Sequence, residues 1–427
     1  MASSIQGFLT SKGWEMAKKQ LETAVNEFNQ VMKPVSLWAD AWKRLRKNRM
    51  ALISLVIVCI YLVISIFAPL LTSAGILIDY RKQVITNASL PPSFKPAGEL
   101  VINKIEKRIA DLEQRVEEQK QQQSAFDSFF DFGSVYAQDE NGEAGDDFAP
   151  SQEEFSFTYE GEGFFGNTTD PVVRELISQK ETLEHVKAEL DTNPDYKIVY
   201  ILGTDNLGRD MFARIIYGGR ISIAIGVVGT LTAALVGILV GAISGYVGGW
   251  LDNFLMRFVD IMYGLPYMLI VIIIMAMIGE KARGSFVVLF VAIALVSWLT
   301  IARVVRGQII SLKNSEFVEA ARSMGASTQR IIFRHLLPNT LGVIIVFSTL
   351  MMPSFIMNES FLSFLGLGVS APDASWGTLV SEGVRAMESY AWQLLGPGIT
   401  MTIFLFCMNF LGDGLRDALD PQSKNRT

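Results

Sequence analysis

Six stretches of this 427-residue chain run free of charged residues for about the length of a membrane-crossing helix: 51–71, 221–251, 261–279, 284–302, 336–358 and 389–412. A helix needs about 20 mostly apolar residues to cross the hydrocarbon layer. The first run alone holds fourteen Leu, Ile, Val or Phe residues, which favour insertion by about 4–8 kcal/mol. A 50-residue polar leader precedes it, and it is too long for a cleaved signal peptide. The sequence therefore predicts an all-α integral membrane protein with six transmembrane helices. The run 361–372 is too short to span and reads as an interfacial or re-entrant turn.

Composition excludes several function classes. Half the residues are apolar and 19% are charged, where about 25% is typical of soluble domains. The two cysteines, Cys59 and Cys407, are too few for a disulfide framework or a cysteine zinc site, and both lie in apolar runs where a free thiol is a small hydrophobe. His185 and His335 stand far apart with no ligand cluster around them. No catalytic, cofactor-binding or metal-ligating residue is predicted, and the chain is not expected to be an enzyme.

The formal charge of −6 averages two unlike regions. From Asp79 to Asp195 there are 25 acids and 11 bases, a net of −14, while the remainder carries a net of +8. The leader holds nine Lys or Arg, including Lys43, Arg44, Arg46, Lys47 and Arg49. Segment 303–335 carries Arg303, Arg306, Lys313, Arg322, Arg330 and Arg334, and the tail carries Arg416, Lys424 and Arg426. Basic short loops stay in the cytoplasm, so both termini are expected inside and the acidic block outside. Bases beside apolar runs, without interleaved aromatics, argue against a nucleic-acid partner.

Residues 1–49 thus read as a basic cytoplasmic leader, 50–72 as helix 1, 73–200 as an acidic outer insertion, 201–421 as a core with helices 2–6, and 422–427 as a cytoplasmic tail. Within the insertion, Ile102, Ile105, Ile109, Leu112 and Val116 form one apolar stripe. Val172, Leu176, Gln179, Leu183, Val186 and Leu190 follow a second. The pair predicts helices over about 100–123 and 172–190, folded back as a hairpin. Residues 124–171 hold twelve acids and no Lys or Arg, a composition that reads as disordered. The block is either a docking arm or a tolerated insertion, and low loop-closure entropy favours the insertion.

Gly237, Gly241 and Gly245 recur every four residues and predict a flat face for close helix packing. Arg257 and Asp260, one turn apart at the cytoplasmic edge of a span, read as an intrahelical or interhelical clamp in preference to a substrate contact. Glu359, at the outer end of the fifth run, either orders the following turn or attracts a cationic substrate group.

The segment from Ser315 to Asn339 combines a helix-forming stretch from Glu316 to Met324, Gly325 as a left-handed cap, Ser327 as an N-cap and Pro338 as a stop. It predicts a short helix–turn–helix on the cytoplasmic face. Ala320 and Ala321 leave its middle free of bulk.

Glu319, Ala320 and Ala321, then Gly325 and Leu337–Pro338, resemble the "EAA" loop of ABC importer permeases. Gly203 to Asp210, Glu359 to Gly368, Ser375, Trp376 and Gly377, and the tail Leu411 to Pro421 resemble the second (C-type) permease of oligopeptide and dipeptide importers, a branch that also moves nickel. The resemblance spans roughly 36–75 and 200–421, leaving 73–200 as an unusually long periplasmic insertion. It implies a type I ABC importer permease (MetI-like) fold in the bacterial inner membrane, with a second permease as heterodimer partner, one or two ABC ATPases, an external substrate-binding protein and membrane lipid. It also implies that Glu319, Ala320, Ala321, Gly325, Leu337 and Pro338 form the coupling surface. The chain has no Gly-Lys dipeptide and so no phosphate-cradling Walker loop. ATP and Mg are therefore expected on the ATPase partners.

A secondary transporter is the competing class, but such carriers bury ionisable residues mid-span, whereas the charges here sit at span ends. A scaffold anchored by its spans is a third reading; six spans with glycine faces exceed what an anchor needs.

Overall fold

The computed structural model describes Lys19 and residues 37–136, 170–277 and 286–419. In chain order the helices are α1 (Leu37–Leu45), α2 (Arg49–Ser73), α3 (Ala97–Tyr136), α4 (Pro171–Glu189), α5 (Met211–Val247), α6 (Gly249–Gly264), α7 (Tyr267–Met277), α8 (Phe286–Leu312), α9 (Glu316–Ser323), α10 (Thr328–Phe364), α11 (Trp376–Ala386) and α12 (Trp392–Leu419). Side-chain acceptors set several starts, as orphan N–H groups at helix N-termini require. Asn48 accepts from Ala51 N–H, Asp170 from Val172 N–H, and Asp210 from Phe212 and Ala213 N–H. At α11, Ser375 and Thr378 form a reciprocal capping box.

Among the described residues five helices, α2, α5, α8, α10 and α12, are each long and apolar enough to cross a membrane. The seam between α5 and α8 fixes the arrangement. A Cβ at Gly237 would lie 2.6 Å from Ile301 Cβ, at Gly241 2.4 Å from the Ala302 carbonyl oxygen, and at Gly245 2.9 Å from the Arg306 carbonyl oxygen. Contact positions rise together along both helices, so α5 and α8 run parallel. The chain must therefore return between them from the leader end of the bundle, where α1 sits, to the insert end.

That return is made by α6 and α7, which together pass as an apolar span but meet at 88°. The sequence expectation of one crossing helix over 261–279 is corrected here. Gly264, Leu265 and Pro266 break it, because Pro266 lacks the N–H that would continue α6. The ladder before α8 is antiparallel: Tyr263 meets Thr300 at 2.6 Å and Tyr267 meets Ser297 at 3.3 Å. Residues 278–285, which include the end of that run and the start of the next, lie outside the described residues.

Helix α10 runs antiparallel to α5, with Ser222 against Glu359 and, further along α5, Gly226 against Met352 and Ile356. Helix α12 runs antiparallel to α2. Tyr61 packs edge-on to Phe404 at 5.7 Å, and a Cβ at Gly414 would come within 2.3 Å of Ala51 Cβ.

In the insertion, α3 and α4 pack through Val101, Ile105, Ile109, Leu176, Leu183 and Val186, joined by Leu90, Tyr196 and Tyr200. Ion pairs such as Arg108–Glu175 (2.7 Å) and Lys180–Glu113 (2.7 Å) decorate the exposed edges, where each contributes little. Helix α3 runs on to Tyr136, past the expected change at residue 124. Glutamine, alanine and serine continue the helix there, with Ser124 and Ser128 bonding back to the Gln121 and Ala125 carbonyls. The rest of the segment expected to be disordered, 137–169, lies outside the described residues, as do most of the leader and the tail beyond 419. The insertion is pinned to the bundle at Thr204, whose hydroxyl donates to the Asn87 carbonyl (2.6 Å) and accepts from Leu90 N–H (2.7 Å).

At Gly241 the added Cβ meets rigid backbone, so Gly241→Ala costs about 1–3 kcal/mol, while Gly307→Ala on α8, with open space around it, is neutral or stabilising. Thermal unfolding of the two purified variants in detergent separates them. Burial pushes the Asp210 carboxyl from 3.8 up to about 6 against the pull of its two backbone N–H donors. The folded state therefore holds this proton more tightly than the unfolded chain. The stabilisation is fully present below about pH 4 and is lost as pH rises through 6, a total of roughly 3 kcal/mol. Asp210→Asn keeps the capping acceptor, and melts from pH 4 to 8 should show that part of the slope removed.

Candidate functional site

At the leader end, α9 projects as a two-turn helix held from below. Val318 and Ala321 are buried against Val305 and Ile309 of α8 and Ile331, Ile332 and Leu336 of α10. Val318 and Glu319 N–H bond to the Ser315 carbonyl, while the Ser315 hydroxyl turns away to the Leu312 carbonyl at 2.6 Å. Glu319 and Ala320 face outward. Ala321 does not, which corrects the expectation that both alanines leave the same surface open; successive residues on a helix point about 100° apart.

Gly325 ends the helix at φ +79° with nothing within 4 Å of its added Cβ. Its need for glycine is one of backbone conformation alone. Leu337 is half-buried and Pro338 exposed. The outward face also carries Phe317, Met324 and Phe333, which the sequence reading passed over. The signal was available in Phe317 and Met324, seven residues apart.

The helix from Ser327 does not end against Pro338, as expected, but continues to Phe364. A wide turn over Ile331–Leu336 accommodates the proline, with Leu337 N–H reaching the Ile332 carbonyl. The His335 carbonyl, which Asn339 faces one turn later, accepts from the Asn339 side-chain amide at 2.7 Å.

Beside α9, α6 docks on α8 through charges. Asp252 accepts from Arg306 Nε and Nη2 at 2.6 and 2.7 Å, and from the Ser244 hydroxyl. Asp260 pairs with Arg303 at 2.6 Å, and that guanidinium sits 4.0 Å from the centre of the Tyr263 ring. Asp260 thus clamps across to α8 through Arg303, which corrects the expected pairing with Arg257, exposed on the same helix.

At the insert end, Glu359 is fully buried and accepts from three hydroxyls: Ser222 at 3.3 Å, Ser363 at 2.7 Å and Ser375 at 2.5 Å. Ser222 also receives Trp376 N–H at 3.0 Å, and the Trp376 ring N–H reaches the Ile215 carbonyl at 2.9 Å. A Cβ at Gly377 would come within 2.5 Å of Ser360 Cα. Glu359 therefore gathers α5, α10 and the start of α11 at one point.

A second polar knot lies in the segment before α5. Asp205 Oδ2 accepts from Arg209 Nε (2.6 Å) and Arg214 Nη1 (2.7 Å), and Arg214 Nη1 also reaches Glu382 at 2.8 Å. Gly208, at φ +70°, passes so close to the Val84 carbonyl that no side chain fits.

Residues 237–425 match the family described as binding-protein-dependent transport system inner membrane component, and residues 36–92 match the N-terminal TM domain of oligopeptide transport permease C. The oligopeptide transport system permease protein OppC of Escherichia coli K12 is 48% identical over 237 residues, 56% of this chain and 77% of that protein. The dipeptide transport system permease protein DppC of Bacillus subtilis is 46% identical over 221 residues, 52% of this chain and 68% of that protein. A solved chain of the MetNI methionine ABC transporter, in inward-facing conformations, aligns over 49% of this chain and 98% of its own length at 17% identity, with a TM-score of 0.40. The chain belongs to the inner-membrane permeases of binding-protein-dependent ABC transport systems, in the branch of C-type oligopeptide and dipeptide permeases.

Proposed function

We propose that this chain forms half of the translocation pathway for oligopeptides or dipeptides, and that a separate ATPase drives it by gripping α9. The observation that carries the reading is the match to peptide permeases over most of their length. The outward-facing Glu319 and Ala320, flanked by Phe317 and Met324, support the second half of it.

In this reading the leader end faces the cytoplasm. Arg303, Arg306, Lys313, Arg322, Arg330 and Arg334 lie there, as basic short loops do. The second permease completes a heterodimer, an external binding protein delivers peptide at the insert end, and ATP with Mg is used by one or two ATPase subunits. Ala320 lets the partner surface approach closely, Glu319 supplies a charge for it, and Gly325 sets the turn into α10. Val318 and Ala321 root α9 in a cluster shared with Ala242 of α5, Val305 of α8 and Ile344 of α10. Force on α9 therefore reaches three spans at once.

Replacing Glu319 by Arg inverts the charge of the gripping face without touching the buried side of α9. Gly325→Val forces a β-branched residue to positive φ, at a local cost of about 1–3 kcal/mol. Both variants should assemble with reduced ATPase association, and peptide uptake should fall at least fivefold. Uptake at the wild-type rate in both would end the assignment of α9 as the coupling helix.

A further inference from the structure

At the insert end of α5 a cavity of about 380 Å³ opens beside Tyr80, Arg81, Tyr217, Arg220 and Asp373, with Ala224 one turn further along α5. Most of its wall is prearranged. Asp373 Oδ1 accepts from the Tyr80 hydroxyl at 2.7 Å and from Arg81 Nη2 at 2.9 Å, and Arg81 Nε donates to the Tyr80 oxygen at 2.7 Å. Tyr80 stacks on Tyr217 with ring centres 4.1 Å apart, and the Tyr217 hydroxyl lies 2.9 Å from that of Thr72. The Tyr80 and Arg81 bonds hold the Asp373 carboxyl below the usual carboxylate range, so it is ionised at neutral pH.

Arg220 is different. It is exposed, and it makes no ion pair among the described residues. A cation on a helix that enters the bilayer faces water or protein rather than lipid tails, and here it faces the cavity. Two guanidiniums against one carboxylate leave the cavity net positive. A free guanidinium offers a planar fork that matches a carboxylate, and the stacked tyrosines beside it present an aromatic wall to an adjacent side chain.

We propose that Arg220 binds the terminal carboxylate of a peptide entering the pathway, beside the fixed wall of Tyr80, Arg81 and Asp373. This deepens the peptide-permease reading and rests on it. The site passes peptide inward along α5, whose next exposed positions are Val227, Val228 and Leu231.

The test uses the assembled transporter with its partner permease, ATPases and binding protein in proteoliposomes. Uptake of one tripeptide is compared with that of the same tripeptide carrying a C-terminal amide, in wild type, Arg220→Gln and Arg220→Lys. Because the binding protein is identical throughout, its own preference cancels between variants. The ratio of free-acid to amide kcat/KM should fall roughly tenfold or more in Arg220→Gln, the usual size of a lost charge-assisted bond, mainly through KM, with partial recovery in Arg220→Lys. An unchanged ratio overturns the proposal, whether uptake is intact or falls equally for both peptides; an equal fall assigns Arg220 to a lipid headgroup or binding-protein contact instead. A wild-type transporter that moves neither peptide overturns the peptide reading, and this site with it.

Discussion

The close, parallel contact of α5 and α8 is the constraint on which the rest of the bundle depends. Three glycines let backbone meet backbone along more than two turns of α5, the kind of close approach that favours association between helices already in an apolar solvent. Because the two helices point the same way, the chain between them has to travel back across the bundle. That requirement explains the least regular part of the fold, the sharply bent pair α6 and α7. It also explains why α6 carries Asp252 and Asp260 at the level of Arg306 and Arg303. A helix lying across the end of two parallel spans needs something to hold it there, and these two ion pairs do so.

What could be read in the sequence follows from the range of the interactions involved. The apolar runs and the glycine repeat are local and periodic, so the spans and their packing face were legible. The bend at Pro266 was not, although the proline is plain to see, because hydropathy is the same for a straight crossing and a broken one. Asp252 with Arg306, 54 residues apart, and Arg214 with Glu382, 168 apart, left no local trace. In the EAA segment the residue types were legible and their orientation was partly so. The helix phase separates Ala320 from Ala321, and it takes the core beneath α9 to decide which of them faces in. Pro338 was misjudged for a related reason. A wide turn can absorb a proline when a side chain such as Asn339 serves the neighbouring carbonyl, and nothing in the spacing announces that.

The two ends of the bundle use different physics for similar work. At the leader end, α9 is rooted by apolar packing, which tolerates small shifts of one surface over another. At the insert end, the segment after α10 is tied by directional bonds. Glu359 receives three hydroxyls in a dry setting, where each bond is strong and each loss exposes an unsatisfied acceptor. An apolar alternative would fill the space but would not fix the position of Ser375 and, through it, the capping box of α11.

Both arrangements act on the same helices. The cluster under α9 contains Ala242 of α5 and Ile344 of α10, and the Glu359 knot joins Ser222 of α5 to α10 at the far end. Between them, Gly226 and Gly229 of α5 lie flush against Met352, Ile356 and Phe355 of α10, leaving little slack along the pair. A push delivered to α9 is therefore met by two helices that are packed tightly in the middle and pinned together at the opposite end. The expected response is a movement of α5 and α10 as one body, carrying the insert end of α5 with it, rather than a local flexing of the segment that was pushed.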